Sequence, residues 1–145
     1  GVWNTNAGRT VRHRRSVGGQ DVRLLYNIVP EAAVYLNDRD VASVATSTVF
    51  NCRPDGLCVS GLTAGADTSA DTLRAVKAAV PGTPVFANTG VRAETVAAQL
   101  EVADGAIVGT AFKRDGHIWN EVDEARVAAL MKAARTAREP VGEAR

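Results

Sequence analysis

Apolar positions along the chain come in short blocks that alternate between two periods. Val22-Arg23-Leu24-Leu25-Tyr26-Asn27-Ile28-Val29 is a mostly apolar run and predicts a strand. Val41 to Phe50 reads as a helix with Asp40 as its N-cap. Gly56-Leu57-Cys58-Val59-Ser60 predicts a short buried strand. Ser69 to Val80 predicts a helix whose Leu73, Val76 and Val80 share one face, with Thr68-Ser69-Ala70-Asp71 as a capping-box-like start. Pro81-Gly82 stops that helix. The cycle then repeats: a strand at Pro84–Ala87, a helix at Ala93–Leu100, a strand at Gly105–Val108, and a last amphipathic helix over Asp123–Ala137 with Val127, Leu130, Met131 and Ala134 inward. A further helix is predicted at Asn6–Val17, and the polar tail over 138–145 is expected to fray.

Four strands, each followed by a helix, predict a parallel sheet. The strands are apolar throughout rather than alternating, as expected of strands covered on both faces. The fold class is therefore α/β, either an open doubly wound sheet or part of a (β/α)8 barrel, which needs eight strands and about 250 residues. The chain has 145 residues and opens at Gly1 with no strand. The expectation is a piece of a longer protein, with residues 1–145 forming the C-terminal half of a single (β/α)8 barrel domain of TIM-barrel type. An isolated half barrel leaves two sheet edges uncovered, so it is expected to form a homo-oligomer, pair with its missing half or aggregate.

Composition narrows the function classes. Hydrophobic residues make up 46% and charged residues 23%, an ordinary globular balance, and the net charge of +1 points to neither nucleic acid nor an anionic membrane. No stretch approaches the roughly 20 apolar residues of a membrane span, and a cytoplasmic location is expected. The two cysteines, Cys52 and Cys58, have the spacing of neither a zinc knuckle nor a redox pair, and there are only two histidines. Two buried reduced thiols are expected, with no metal and no cofactor. The basic run Arg9, Arg12, His13, Arg14, Arg15 lacks aromatic interleaving, so a solvated helix face, or one arginine on a substrate anion, is the reading rather than nucleic-acid binding. His117, in the turn Arg114-Asp115-Gly116-His117, is expected to be exposed.

In α/β folds the working residues gather at the C-terminal ends of the strands. Here those ends hold Asn27 and Glu31, the loop Ser60–Gly65, Asn88-Thr89-Gly90, and Gly109-Thr110-Ala111-Phe112-Lys113. Glycine past a strand lets the backbone expose its N–H groups to a ligand. With a helix N-terminus behind them, such groups suit an anion. Thr89, Gly90, Gly109, Thr110 and Lys113 are thus candidate phosphate ligands, since barrels bind phosphate after their seventh and eighth strands. Asn27, Glu31, Ser60 and Thr63 are the catalytic candidates: Glu31 as a general acid or base, Ser60 and Thr63 as hydrogen-bonding groups at the same mouth. Asp55 and Asp104, which lead into strands at the opposite end, read as structural turn residues.

Ala103-Asp104-Gly105-Ala106-Ile107-Val108-Gly109-Thr110-Ala111-Phe112-Lys113, followed by Asp115-Gly116, Asn120, Val122-Asp123 and Arg126-Val127, resembles the end of BtpA/SgcQ-family proteins. Val59-Ser60-Gly61 with Gly65, and Pro84-Val85 with Gly90-Val91, precede it in the family's order, and Ala7-Gly8 with Arg12 and Arg14-Arg15 resembles the segment after the family's fourth strand. The resemblance covers residues 1–137. It implies a (β/α)8 barrel related to phosphate-binding barrel enzymes, of which this chain carries the C-terminal half. It also implies one of two roles: binding of a phosphorylated small metabolite, as a lyase- or isomerase-type enzyme, or a non-catalytic assembly or stability role of the kind associated with photosystem I biogenesis in the cyanobacterial namesake. Two departures bear on catalysis. The family pattern has an Asp and then a Lys-His pair after the first of these strands, where this chain has Asn27, Glu31 and Ala32. The family's Gly-Ser-Gly is here Asn88-Thr89-Gly90.

Overall fold

The computed structural model describes residue 2, residues 5–36 and residues 38–139. Its elements follow the order α1 (Ala7–Ser16), β1 (Leu25–Val29), α2 (Val41–Cys52), β2 (Gly56–Val59), α3 (Ala70–Ala79), β3 (Val85–Ala87), α4 (Val96–Leu100), β4 (Gly105–Ala106) and α5 (Glu124–Arg138). Two single 3-10 turns, Thr110–Phe112 and Arg114–Gly116, lie between β4 and α5. The four strands form one sheet in the order β1-β2-β3-β4, and every pairing is parallel. This is the α/β alternation of half a (β/α)8 barrel.

Local chemistry sets the element boundaries. Asp40 caps α2 by accepting from the Ser43 N–H at 2.9 Å and the Ser43 hydroxyl at 2.7 Å, and Arg53 ends α2 in the left-handed conformation. The α3 cap is Ser69, not Thr68: Ser69 accepts from Thr72 N. Thr68 is buried and donates its hydroxyl to the carbonyls of Val59 and Thr89. The first strand starts three residues later than its apolar run, because the backbone of Leu24 exchanges hydrogen bonds with Asp55 instead. The helix predicted from Ala93 starts only at Val96, since residues 92–95 form a turn in which Thr95 Oγ1 accepts from Arg92 N at 3.0 Å. The last strand is shorter than predicted because its only partner among the described residues, β3, ends at Ala87. The tail expected to fray falls largely at 140–145, outside the described residues; Arg138 still belongs to α5.

The helix-facing side of the sheet carries the core. Leu57, Val59, Val85 and Ala87 are each 0% exposed and pack against Leu73 and Val76 of α3 and Ala45 of α2. Burying the three large aliphatics Leu57, Val59 and Val85 stabilises the sheet by several kcal/mol, at about 1.5–3 kcal/mol each. On α5 only Leu130 is buried; Val127 and Ala134 are half-buried, and Met131, expected inward, is 41% exposed.

The other side of the sheet is packed differently. A Cβ on Gly56 or on Gly105 would come within 2.7 Å of the Phe86 ring, and one on Gly56 within 3.0 Å of Leu25. The ring of Phe86 therefore lies across β2 and β4, filling the layer that those two glycines leave empty. Leu25, Cys58, Ser60, Asn88 and Ile107 continue this face, which corresponds to the interior of a barrel.

At the N-terminal ends of the strands, two aspartates tie neighbours together, as their sequence positions suggested. Asp55 accepts from Leu24 N at 2.7 Å and pairs with Arg14 and Arg23. Asp104 accepts from Val85 N at 2.7 Å and pairs with Lys77. The Leu24 amide, then Arg23, hold the Asp55 carboxyl below its ordinary range. Burial pushes Asp104 up, but Lys77 and the Val85 amide outweigh it and the net displacement is downward. Arg14 is thus neither a solvated helix residue nor a contact for a substrate at the strand C-termini: it also donates to Val22 O at 2.9 Å. Cys58 is buried, and burial raises its thiol pKa, whereas Cys52 is only half-buried.

Candidate functional site

The C-terminal ends of β3 and β4 open into a cavity of about 490 Å³. Of the residues singled out in the sequence, Glu31, Thr89, Gly90, Gly109 and Thr110 line it. Lys113 does not: its backbone pairs with Val122 in an antiparallel bridge at the base of the turn. Thr63 is exposed on its loop and closes a tight turn through its carbonyl, which accepts from Ala66 N. His117 is exposed and is not among the residues that line the cavity.

The two glycines at the mouth do different work. Gly90 has a φ of +70°, and a Cβ there would lie 2.3 Å from Asp67 Cα and 2.4 Å from Ala66 O. Its lack of a side chain lets the loop after β2 pack onto the end of β3. Gly109 has no atom within 4 Å of the position its Cβ would take. The space beside it is open and belongs to the cavity. Among the described residues, no acceptor takes the N–H groups of Gly109, Thr110 or Ala111. These amides stand at the first 3-10 turn rather than at the start of a long helix.

The positive charge comes from residues the sequence reading did not select. Arg92 and Arg126 both line the cavity. Arg126 is held by its Nε–H donating to Ala111 O at 2.8 Å. Arg92 pairs with Asp67 at 3.0 Å, which links the loops after β2 and β3. A signal for each was present: Arg92 follows Gly90-Val91 directly, and Arg126 belongs to the Arg-Val pair that carried the family resemblance.

Asn27 and Ser60, two of the catalytic candidates, do come together. The Asn27 and Asn88 side-chain amides each donate to Ser60 Oγ, both at 2.9 Å. Ser60 is 4% exposed. Two of the positions at which this chain departs from the resembled pattern, 27 and 88, thus meet on one hydroxyl. Thr89 is also committed: its hydroxyl oxygen accepts from Gly61 N, which leaves its proton to donate elsewhere. Among the described residues, no three His, Cys, Asp or Glu side chains gather where they could share a metal ion, and no helix is long and apolar enough to cross a membrane.

The profile of the BtpA family matches residues 1–136. The chain belongs to the BtpA family. Its relatives include the putative sgc region protein SgcQ of Escherichia coli K12, 56% identical over 132 residues that cover 91% of this chain and 49% of SgcQ. The photosystem I biogenesis protein BtpA of Synechocystis is 29% identical over 133 residues, covering 92% of this chain and 46% of that protein. This BtpA-family chain therefore spans about half the length of the curated relatives it matches. In three dimensions it is similar to N-(5'-phosphoribosyl)anthranilate isomerase from Pyrococcus furiosus, with a TM-score of 0.58 at 16% identity over 88% of this chain and 57% of the isomerase. It is also similar to a protein described as native KDPGal, with a TM-score of 0.59 at 24% identity over 92% of this chain and 56% of that one. At these identities the likeness concerns the fold, and it is the fold of a half barrel.

Proposed function

We propose that the chain is the C-terminal half of one (β/α)8 barrel domain and that its mouth binds a phosphorylated small metabolite. The observation that carries the reading is that the N–H groups of Gly109, Thr110 and Ala111 have no acceptor among the described residues, and that these residues line one cavity together with Arg92 and Arg126. Backbone amides and guanidinium groups converging on open space suit a dianionic phosphate. Thr89 and Thr110 line the same cavity, and the similarity in fold to a phosphoribosyl isomerase is in keeping with it. The metabolite is taken from the cytoplasm.

Proton-transfer chemistry of the lyase or isomerase type would fall to Glu31, which lines the cavity and alone there can act as a base without help. A second reading is a non-catalytic assembly or stability role like that named for the Synechocystis relative. One observation favours it: the strand ends hold the neutral set Asn27, Ser60 and Asn88, and Ser60, as an acceptor of two hydrogen bonds, has no base beside it.

The test is thermal unfolding of the protein with inorganic phosphate and a panel of phosphate esters, with Gly109→Asp as control. A ligand at one hundred times its Kd adds about 2.7 kcal/mol, a shift of several degrees. Stabilisation lost in the variant is the expected result. No shift with any phosphate ester in the folded protein would overturn the reading and move the weight to the assembly role.

A further inference from the structure

We infer that the cavity selects phosphate esters whose other end carries hydroxyl groups, a phosphorylated sugar or polyol, and that Asn88 is the residue that reads those hydroxyls. The inference rests on the phosphate reading above and adds the class of molecule to it.

The argument begins at Ser60. A serine oxygen has two lone pairs, and here both are occupied, one by Asn27 Nδ2 and one by Asn88 Nδ2. Asn27 is fixed in turn, because its Oδ1 accepts from Val29 N at 3.1 Å. Asn88 is fixed at its backbone, where its N–H donates to Val59 O at 2.9 Å. One N–H of its side-chain amide is spent on Ser60, and the second N–H and Oδ1 remain. No described residue donates to that Oδ1. It is not sealed inside the protein, since the buried side-chain atoms that lack a partner are Tyr26 Oη and Gln99 Oε1. Asn88 lines the cavity, so its free oxygen is an acceptor available to a ligand. A carbonyl oxygen beside a free N–H matches a hydroxyl group, which is at once a donor and an acceptor.

The layout of the sheet orders these groups. The amides of Gly109–Ala111 follow β4, Asn88 ends β3, and Glu31 follows β1 at the other side of the sheet. A ligand with its phosphate at the β4 side extends past an amide oxygen toward a carboxylate. Both accept from hydroxyls, and the carboxylate repels an anionic group. A phosphorylated polyol satisfies this gradient, whereas a phosphorylated carboxylic acid brings its second negative charge toward Glu31.

The experiment is calorimetric titration with inorganic phosphate, ribose 5-phosphate and 3-phosphoglycerate, on the native protein and on Asn88→Ala and Asn88→Asp. The native protein is expected to prefer ribose 5-phosphate to each of the other two by about tenfold or more, the scale of one hydrogen bond. Asn88→Ala should remove most of that ratio. Asn88→Asp should keep it, because an aspartate takes the Ser60 proton and still presents an acceptor. Equal affinity for the three ligands, a ratio that survives in Asn88→Ala, or one that is lost in Asn88→Asp would each overturn the inference and leave phosphate binding standing. Failure of all three ligands to bind would overturn the phosphate reading, and the inference with it.

Discussion

Replacing Gly90 by alanine, and separately Gly109 by alanine, makes the same chemical change at the ends of adjacent strands, and the structure assigns the two opposite outcomes. At Gly90 the new methyl would lie 2.3 Å from Asp67 Cα, 2.4 Å from Ala66 O and 2.5 Å from Ala66 C, all backbone atoms, at a φ of +70°. The left-handed conformation costs alanine about 1 kcal/mol, and pushing two loops apart adds about 1–3 kcal/mol. Gly90→Ala should therefore destabilise by roughly 2–4 kcal/mol. In a chain of this size that lowers Tm by roughly 4–16 °C, at about 2–4 °C per kcal/mol. At Gly109 the methyl meets nothing within 4 Å, and the change should stay within about 0.5 kcal/mol. Urea and thermal unfolding of both variants beside the native protein measure the difference. If Gly90→Ala proves as stable as Gly109→Ala, the loop after β2 does not seat on the end of β3, and the cavity described here is not formed as stated.

Two further outcomes are expected. The carboxyls of Asp40, Asp55 and Asp104 all sit below their ordinary values; the unfolded chain binds their protons more readily, so their contribution is present above about pH 4 and is lost as pH falls through the folded values. Urea midpoints measured from pH 6 to pH 3 should fall, and should fall less steeply in Asp55→Asn. Cys58 is 4% exposed and its thiol is raised by burial, so at neutral pH a thiol reagent should modify Cys52 well before Cys58, with the two rates converging in denaturant; equal rates in the folded protein would contradict the packing of β2.

What could be read in the sequence was whatever neighbouring residues decide among themselves. The alternation of strands and helices was legible because Pro81-Gly82, Asp40 and the apolar runs mark boundaries locally. The cavity's position was legible too, since strand ends rich in glycine and threonine lie together once the sheet is parallel. Other features depend on contacts between distant residues. Gly90 resembles Gly109 until Ala66 and Asp67 are placed against it. Arg126 looks like one more charged residue in a helix until its guanidinium is seen on Ala111 O. Ser60 reads as a free hydrogen-bonding group at the mouth until two asparagines, from β1 and from the end of β3, are found donating to it. The cap of α3 lies one position beyond the one that Thr68-Ser69-Ala70-Asp71 predicts, because Thr68 and Ser69 are equally good caps in isolation and only the buried carbonyls of Val59 and Thr89 decide between them.

The phenyl ring lying across β2 and β4 has a bearing on how this protein can diverge. Gly56, Phe86 and Gly105 sit on three strands and are far apart in the chain, yet a Cβ at either glycine would come within 2.7 Å of that ring. Neither glycine can acquire a side chain while position 86 stays aromatic, and position 86 cannot shrink without leaving a void that its neighbours have no atoms to fill. The three are therefore expected to change together. Homologues should show either the aromatic with both glycines or a smaller residue with at least one glycine replaced, and the mixed combinations should be the ones that fail to fold.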